Sequence, residues 1–225
     1  MNDVISRAVI LLFAKAPEAG RVKTRLAAHL GAKRAAEIHR ACIRDAIRLA
    51  ERAPGCSHRL LLAGTRGAWT DAGIGLGAAW EIEPQRGRDL GERLERAFRE
   101  AFRRGAKKAI AIGTDTPWMG ARRIETAIAA LDEYDVVLGP AADGGYYLVG
   151  MRRMISAPFR QIAWGKAIVL EQTRRAMKRT GASCGMIERD FDLDRTGDLE
   201  RAAELLRCDP ERAPDLAAWL CARGS

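Results

Sequence analysis

The sequence has no apolar run approaching the ~18–20 residues that a membrane-spanning helix needs. It has only three histidines, His29, His39 and His58, and no nucleophilic triad can be drawn from them. They fall in or beside helical and strand patterns and read as surface or half-buried residues. Its five cysteines, Cys42, Cys56, Cys184, Cys208 and Cys221, are scattered, odd in number and free of C-x-x-C pairs. That argues against a disulfide framework or a structural zinc site and fits a reducing, cytoplasmic setting. Aromatic residues are 6% of the chain, with no interleaved stacking platform and no motif of a nucleic-acid module. No nucleic-acid partner is therefore expected, despite a net charge of +9. Most of that charge is arginine spread along helical patterns and reads as solvated helix faces. The opening MNDVISRAVILLFAKAP has an acidic residue ahead of its apolar stretch and no small-residue cleavage site, so no secretory leader is expected.

What remains is an ordinary globular balance, 225 residues that are 48% hydrophobic and 30% charged. There is no internal repeat, low-complexity tract or linker, and one domain over residues 1–225 is expected. Strand and helix patterns alternate, which predicts an α/β fold with a largely parallel sheet. Strands are expected at Ala8–Phe13, Arg59–Ala63, Ala79–Ile82, Lys108–Ile112, Tyr134–Leu138, Tyr146–Met151 and 182–188. Helices are expected at Ala32–Ala53, Asp89–Arg104, Ala121–Leu131, 166–180, Thr196–Arg207 and Leu216–Cys221, with Gly105 ending the second and Thr196 capping the fifth. The short turn Gly139–Gly145 predicts that Tyr146–Met151 runs antiparallel to its neighbours.

Four loops carry chemistry, and they should share one rim of the sheet. The first strand empties into a loop with Gly20 and four cations, Lys15, Arg21, Lys23 and Arg25. Backbone N–H groups and cations there can neutralise phosphate oxygens. A solvated basic turn is the plain alternative, and no Walker loop is present. In Gly113-Thr114-Asp115-Thr116-Pro117, Asp115 directly follows a buried strand and can bind a divalent metal that bridges phosphates. It could equally cap the next helix. In the third loop, Gly144 and Gly145 permit close backbone approach to a ligand, and Asp143 can meet a sugar hydroxyl, an acceptor or a metal-bound water. The fourth holds Asp190, Asp192 and Asp194, which an extended backbone would place on one face. Such a cluster asks for solvent or a cation.

The stretches FAKAPEAGRVKTRLAAHLG (13–31), RDLGERLERAF (88–98), IGTDTPWM (112–119), VVLGPAADGGYYLVG (136–150), IAWGKAIVLEQT (162–173) and FDLDRTGDL (191–199) together resemble the DUF2064 family of bacterial proteins. That family lies within the nucleotide-diphospho-sugar transferase superfamily, the GT-A fold. The resemblance covers most of residues 8–200. It implies a three-layer α/β/α domain with a mostly parallel, twisted sheet and an antiparallel strand near one edge. It also implies a nucleotide held by the first loop and a divalent metal near Asp115; the residues then expected are Lys15, Gly20, Arg21, Lys23 and Arg25 for the nucleotide and, for Mg2+ or Mn2+, Asp115 with Asp192 or Asp194 as a second ligand. Asp143, Gly144, Gly145, Tyr146 and Trp164 would face the sugar or acceptor, with Asp115, Asp143 and Lys23 catalytic.

Family members are generally regarded as glycosyltransferases, which implies a nucleotide sugar and a small-molecule acceptor as substrates. The chain is also similar to molybdopterin-cofactor and phospholactate guanylyltransferases. Nucleotidyl transfer from an NTP, with release of pyrophosphate, is therefore the rival reading, and a non-catalytic nucleotide-binding module is a third. Two departures stand out. Gly165-Lys166 follows Trp164 where the family tends to have a hydroxyl residue, which sets the acceptor side apart. Pro117 replaces the second acid of an Asp-x-Asp, which leans toward nucleotidyl transfer.

Overall fold

The structure is a computed structural model and describes residues 8–222. The first seven residues, part of the segment in which no leader is expected, lie outside the described residues. Seven strands form one sheet: β1 (Ala8–Lys15), β2 (Cys56–Ala63), β3 (Trp80–Pro84), β4 (Lys108–Ile112), β5 (Val136–Pro140), β6 (Tyr146–Met151) and β7 (Cys184–Met186). Their order is β3-β2-β1-β4-β6-β5-β7. All pairings are parallel except those of β6, which runs antiparallel to both β4 and β5. The antiparallel strand results from the tight Ala141–Gly145 turn, as expected, but it sits inside the sheet, third from the β7 edge.

Helices cover both faces, giving three layers. Alternation along β1 explains the division. Ile10, Leu12 and Ala14 face one layer, with Ile43, Ala46, Ile47 and Ala50 of α2 (Ala32–Glu51) and Ile124 and Ala127 of α5 (Ala121–Ala130). Val9 and Leu11 face the other, with Leu94, Ala97, Phe98 and Ala101 of α4 (Leu90–Arg103) and Met177 of α6 (Val169–Thr180). Each fully buried Val, Leu or Ile side chain among these contributes about 2 kcal/mol of burial free energy, and each alanine methyl about 0.8 kcal/mol. A third cluster joins Leu26 of α1 (Thr24–Leu30) and Ile38 of α2 to Trp118, Phe191 and Leu193. It also takes in Ala202 and Leu206 of α7 (Thr196–Cys208) and Leu216 of α8 (Pro214–Cys221). This satellite core fastens the 190–193 segment to the first helices. A short helix, α3 (Arg66–Asp71), occupies the glycine-rich stretch after β2.

Three local expectations change. α7 is capped at Arg195 rather than Thr196, because the Asp198 carboxylate accepts from the Asp194 and Arg195 N–H groups at 3.1 and 2.7 Å. His58 lies within β2, which starts at Cys56. His39 is not at the surface: it is 5% exposed, and its Nε2 is 3.1 Å from the Lys15 carbonyl. That contact makes Nε2 the donor, and burial lowers the pKa, so the ring is neutral.

Candidate active site

The four loops meet beyond the carboxyl ends of β1 and β4. Lys23 makes the central contact. Its ammonium lies 2.5 Å from Asp115 Oδ1 and also donates to the Leu193 carbonyl. The Leu193 N–H in turn donates to the Asp115 carbonyl at 2.8 Å. One lysine and one backbone hydrogen bond therefore tie the first, second and fourth loops together. The third joins through the Asp190 N–H, 3.0 Å from the Pro140 carbonyl, and through the Arg189 guanidinium on Ala142 O at 3.1 Å.

Lys23 has φ 46°, in the left-handed region, where a non-glycine residue costs about 1–2 kcal/mol. The bonds made by its side chain, and Ala27 N–H bonded to its carbonyl at 2.8 Å, hold it there as the first residue before α1. Its side chain is 4% exposed, whereas that of Asp115 is 50% exposed in the cleft. Burial alone would lower the Lys23 pKa, but the Asp115 carboxylate and the field of Asp192 keep it above its ordinary value. Asp115 is correspondingly held below its ordinary value: its partial burial opposes this, and Lys23 outweighs it. The pair is ionised. Asp115 does not cap a helix, since α5 starts at Ala121 behind Gly120.

Asp115 and Asp192 line one cleft of about 210 Å³, together with Phe13, Leu90, Thr116 and Tyr146. Thr116 Oγ1 donates to Asp192 Oδ1 at 2.6 Å. Burial pushes Asp192 up to about 6, and the nearby Asp115 and Asp143 carboxylates add to the rise. Among the described residues no three His, Cys, Asp or Glu side chains form a ready metal cage. Two carboxylates facing one cleft, one of them destabilised by its acidic neighbours, nevertheless fit a hard divalent cation. Mg2+ in particular is commonly held by one or two carboxylates, with water and phosphate oxygens completing the shell.

The other expected site residues divide. Arg25 pairs with Asp194, and both line a neighbouring recess of about 380 Å³ with Asp143, Lys166 and Asp192. Asp194 is thus not brought to Asp115. Nor do the three aspartates share a face: Asp190 turns away to the Trp118 indole N–H at 3.1 Å and to Arg123. The segment makes only an isolated bridge, Ala141 to Asp190, so strand alternation does not govern it. Lys15 donates to the Arg21 carbonyl at 2.6 Å, and Arg21 sits 3.5 Å from Glu18 on the outer side of the loop, with Gly20 at φ 80° making the bend.

Asp143 closes its own turn, accepting from the Gly145 N–H at 2.9 Å. The space left by the missing side chain of Gly144 is filled by the Ala167 backbone: a Cβ there would stand 2.0 Å from Ala167 O. Trp164 packs behind the cleft, edge-on to Tyr146 with ring centroids 6.1 Å apart and against Gly91 of α4. Sequence reasoning missed Thr116 as the partner of Asp192 and His39 as the neutral ring beneath the loop. The hydroxyl beside Asp115 was a usable signal for the first.

A seven-stranded, mostly parallel sheet with one internal antiparallel strand and an acidic cleft at its carboxyl rim defines the nucleotide-diphospho-sugar transferase fold. A solved structure described as a "putative nucleotide-diphospho-sugar transferase" from Desulfovibrio desulfuricans G20 superposes with a TM-score of 0.91 at 30% identity, over 98% of this chain and 96% of that one. The chain belongs to the DUF2064 family, "Uncharacterized protein conserved in bacteria", which matches residues 46–166. Two more distant structures share the fold. CMP:2-keto-3-deoxy-manno-octonic acid synthetase complexed with CTP has a TM-score of 0.55 at 13% identity, covering 91% of this chain and 100% of that one. Rv0371C of Mycobacterium tuberculosis H37Rv in complex with manganese has 0.52 at 14%, covering 87% and 97%. Among curated proteins, none matches the chain.

Proposed function

We propose that the cleft between Asp115 and Asp192 is the centre of a divalent-metal-dependent transferase that uses an activated nucleotide, with a nucleotide sugar as donor. The observation that carries this is the meeting of the cationic first loop with Asp115 through Lys23. The fold is shared with a protein complexed with CTP and with one complexed with manganese, which supports a nucleotide and a metal as ligands.

In this reading Lys23 is mainly a positioning residue. It keeps Asp115 ionised and fixed, and Thr116 does the same for one oxygen of Asp192. Lys15, Arg21 and Arg25 are the more accessible cations: Arg25 lines the adjoining recess and would meet the phosphates, while Lys15 and Arg21, which line neither recess, would act through their field. Asp115 and Asp192 would hold Mg2+ or Mn2+, which when bound would stabilise charge on the departing phosphate. Asp143 stands in the adjoining recess with Lys166, where an acceptor would enter. Gly144, Gly145 and Trp164 would shape that side rather than touch the reacting atoms, whereas Tyr146 lines the cleft itself.

Nucleotidyl transfer is the second reading, favoured by Pro117 in place of a second acid beside Asp115. Product analysis separates them. Incubation with nucleotide sugars or NTPs, Mn2+ and a panel of sugar and phosphosugar acceptors should release nucleoside diphosphate from the sugars. Pyrophosphate release from NTPs would establish the rival, and binding without any turnover would leave a nucleotide-binding module.

A further inference from the structure

On the far side of the 190–193 segment lies a second recess, of about 760 Å³, to which the proposed transfer chemistry assigns nothing. Five arginines line it, Arg122, Arg123, Arg189, Arg201 and Arg212, against three acids, Glu188, Asp190 and Glu204. Two of the acids are already committed: Arg123 bonds Asp190 and stands 3.1 Å from Glu188. Three of the other four arginines are aligned by neutral groups. Arg212 Nε donates to the Trp118 carbonyl at 3.1 Å, Arg189 donates to Ala142 O, and Arg201 lies 3.9 Å over the Phe191 ring. A guanidinium held by a carbonyl or a ring is oriented without being neutralised.

The start of α5 adds an independent observation. Gly120, Arg122 and Arg123 of its first turn line the same recess. That turn contains no acidic residue, and its N-cap Gly120 offers no side-chain cap. Cations at a helix N-terminus oppose the helix dipole, and of the first turn's N–H groups that of Arg123 bonds the Gly120 carbonyl at 3.2 Å. Two arginines at such a place become favourable when an anion sits beside them.

We infer that this recess is a binding site for a polyphosphate chain, free or as part of a nucleotide, separate from the transfer cleft. It shares one wall with that cleft, because Asp190 faces the recess and Asp192 the cleft.

Trp118 provides a local readout. Its indole N–H donates to Asp190, and its carbonyl accepts from Arg212. The experiment is a titration of 15N-labelled protein with tripolyphosphate and, separately, with a nucleoside triphosphate, both without metal, tracking the Trp118 indole resonance. A saturable shift is expected in the wild type and in a Lys15→Ser/Arg21→Ser variant of the other loop. Arg122→Glu and Arg201→Glu should each weaken the response roughly tenfold or more, since a charge-assisted hydrogen bond is lost. Arg122→Gln and Arg201→Gln give the same comparison with less disturbance of the fold. Comparable affinity for both ligands indicates that the chain alone is recognised; tighter nucleoside triphosphate binding indicates a nucleotide as the source. The inference is overturned if the Trp118 resonance stays fixed at saturating ligand, if the arginine variants respond like the wild type, or if the response vanishes only in the loop variant.

Discussion

Lys23 and Asp115 form an ion pair whose two members differ in environment: the ammonium is 4% exposed and the carboxylate side chain 50%. The pair crosses from the loop after β1 to the end of β4, and it fixes where the candidate cleft is. The asymmetry predicts unequal costs when either member is removed.

Asp115→Ala leaves a buried ammonium with the Leu193 carbonyl as its remaining hydrogen bond and only the field of Asp192 in place of its ion pair, so it should destabilise the protein by about 3 kcal/mol or more. Lys23→Met leaves a carboxylate that water can reach, and should cost only about 1–2 kcal/mol. Urea denaturation of both variants measures this. A larger loss for Lys23→Met would show that the lysine is not the buried, dependent partner.

Two glycines flanking the third loop and its neighbour make a second contrast. Gly144 has φ 90° and no room for a Cβ against Ala167 O; Gly165 has φ 78° and open space around it. Gly144→Ala should therefore destabilise by about 3 kcal/mol, from strain and overlap together. Gly165→Ala should cost about 1 kcal/mol, from backbone conformation alone. Equal losses in thermal or urea melts would mean that the 144–167 contact does not form.

Away from the cleft, Asp45 on α2 accepts from the Asp215 and Leu216 N–H groups at 3.0 and 2.9 Å and so anchors the start of α8. Burial pushes its pKa up to about 6 despite these bonds. Between the ordinary value of 3.8 and about 6 the folded state then binds more protons than the unfolded chain. Stability from this group is full at low pH and is lost as pH rises through that window. The stability difference between wild type and Asp45→Asn should shrink between about pH 4 and pH 7 and then level off. A difference that is flat with pH would contradict the raised value.

The sheet was legible because its strands are apolar runs closed by turn residues: Lys108–Ile112 and Tyr146–Met151 have the limits that the sequence suggests. The convergence of the four loops was legible too, since each adjoins a strand end. Contacts that depend on three-dimensional packing were not. No spacing reveals that Lys23 bonds Asp115, 92 positions away, or that Asp190 leaves the acidic face for Trp118. Gly31, at φ 85°, divides the helical stretch after the basic loop into α1 and α2. The arginines of α5 and α7 read as solvated helix faces, and only the folded chain gathers them around one recess.

In the proposed function Asp115 would hold a metal on which nucleotide binding depends. Isothermal titration of the wild type and Asp115→Asn with UDP- and GDP-sugars and with NTPs, each with Mn2+ and with EDTA, tests it most directly. Binding to the wild type should be strengthened by Mn2+ and weakened by EDTA, and binding to Asp115→Asn should be insensitive to Mn2+. Nucleotide binding to Asp115→Asn with unchanged affinity and unchanged metal dependence would contradict it.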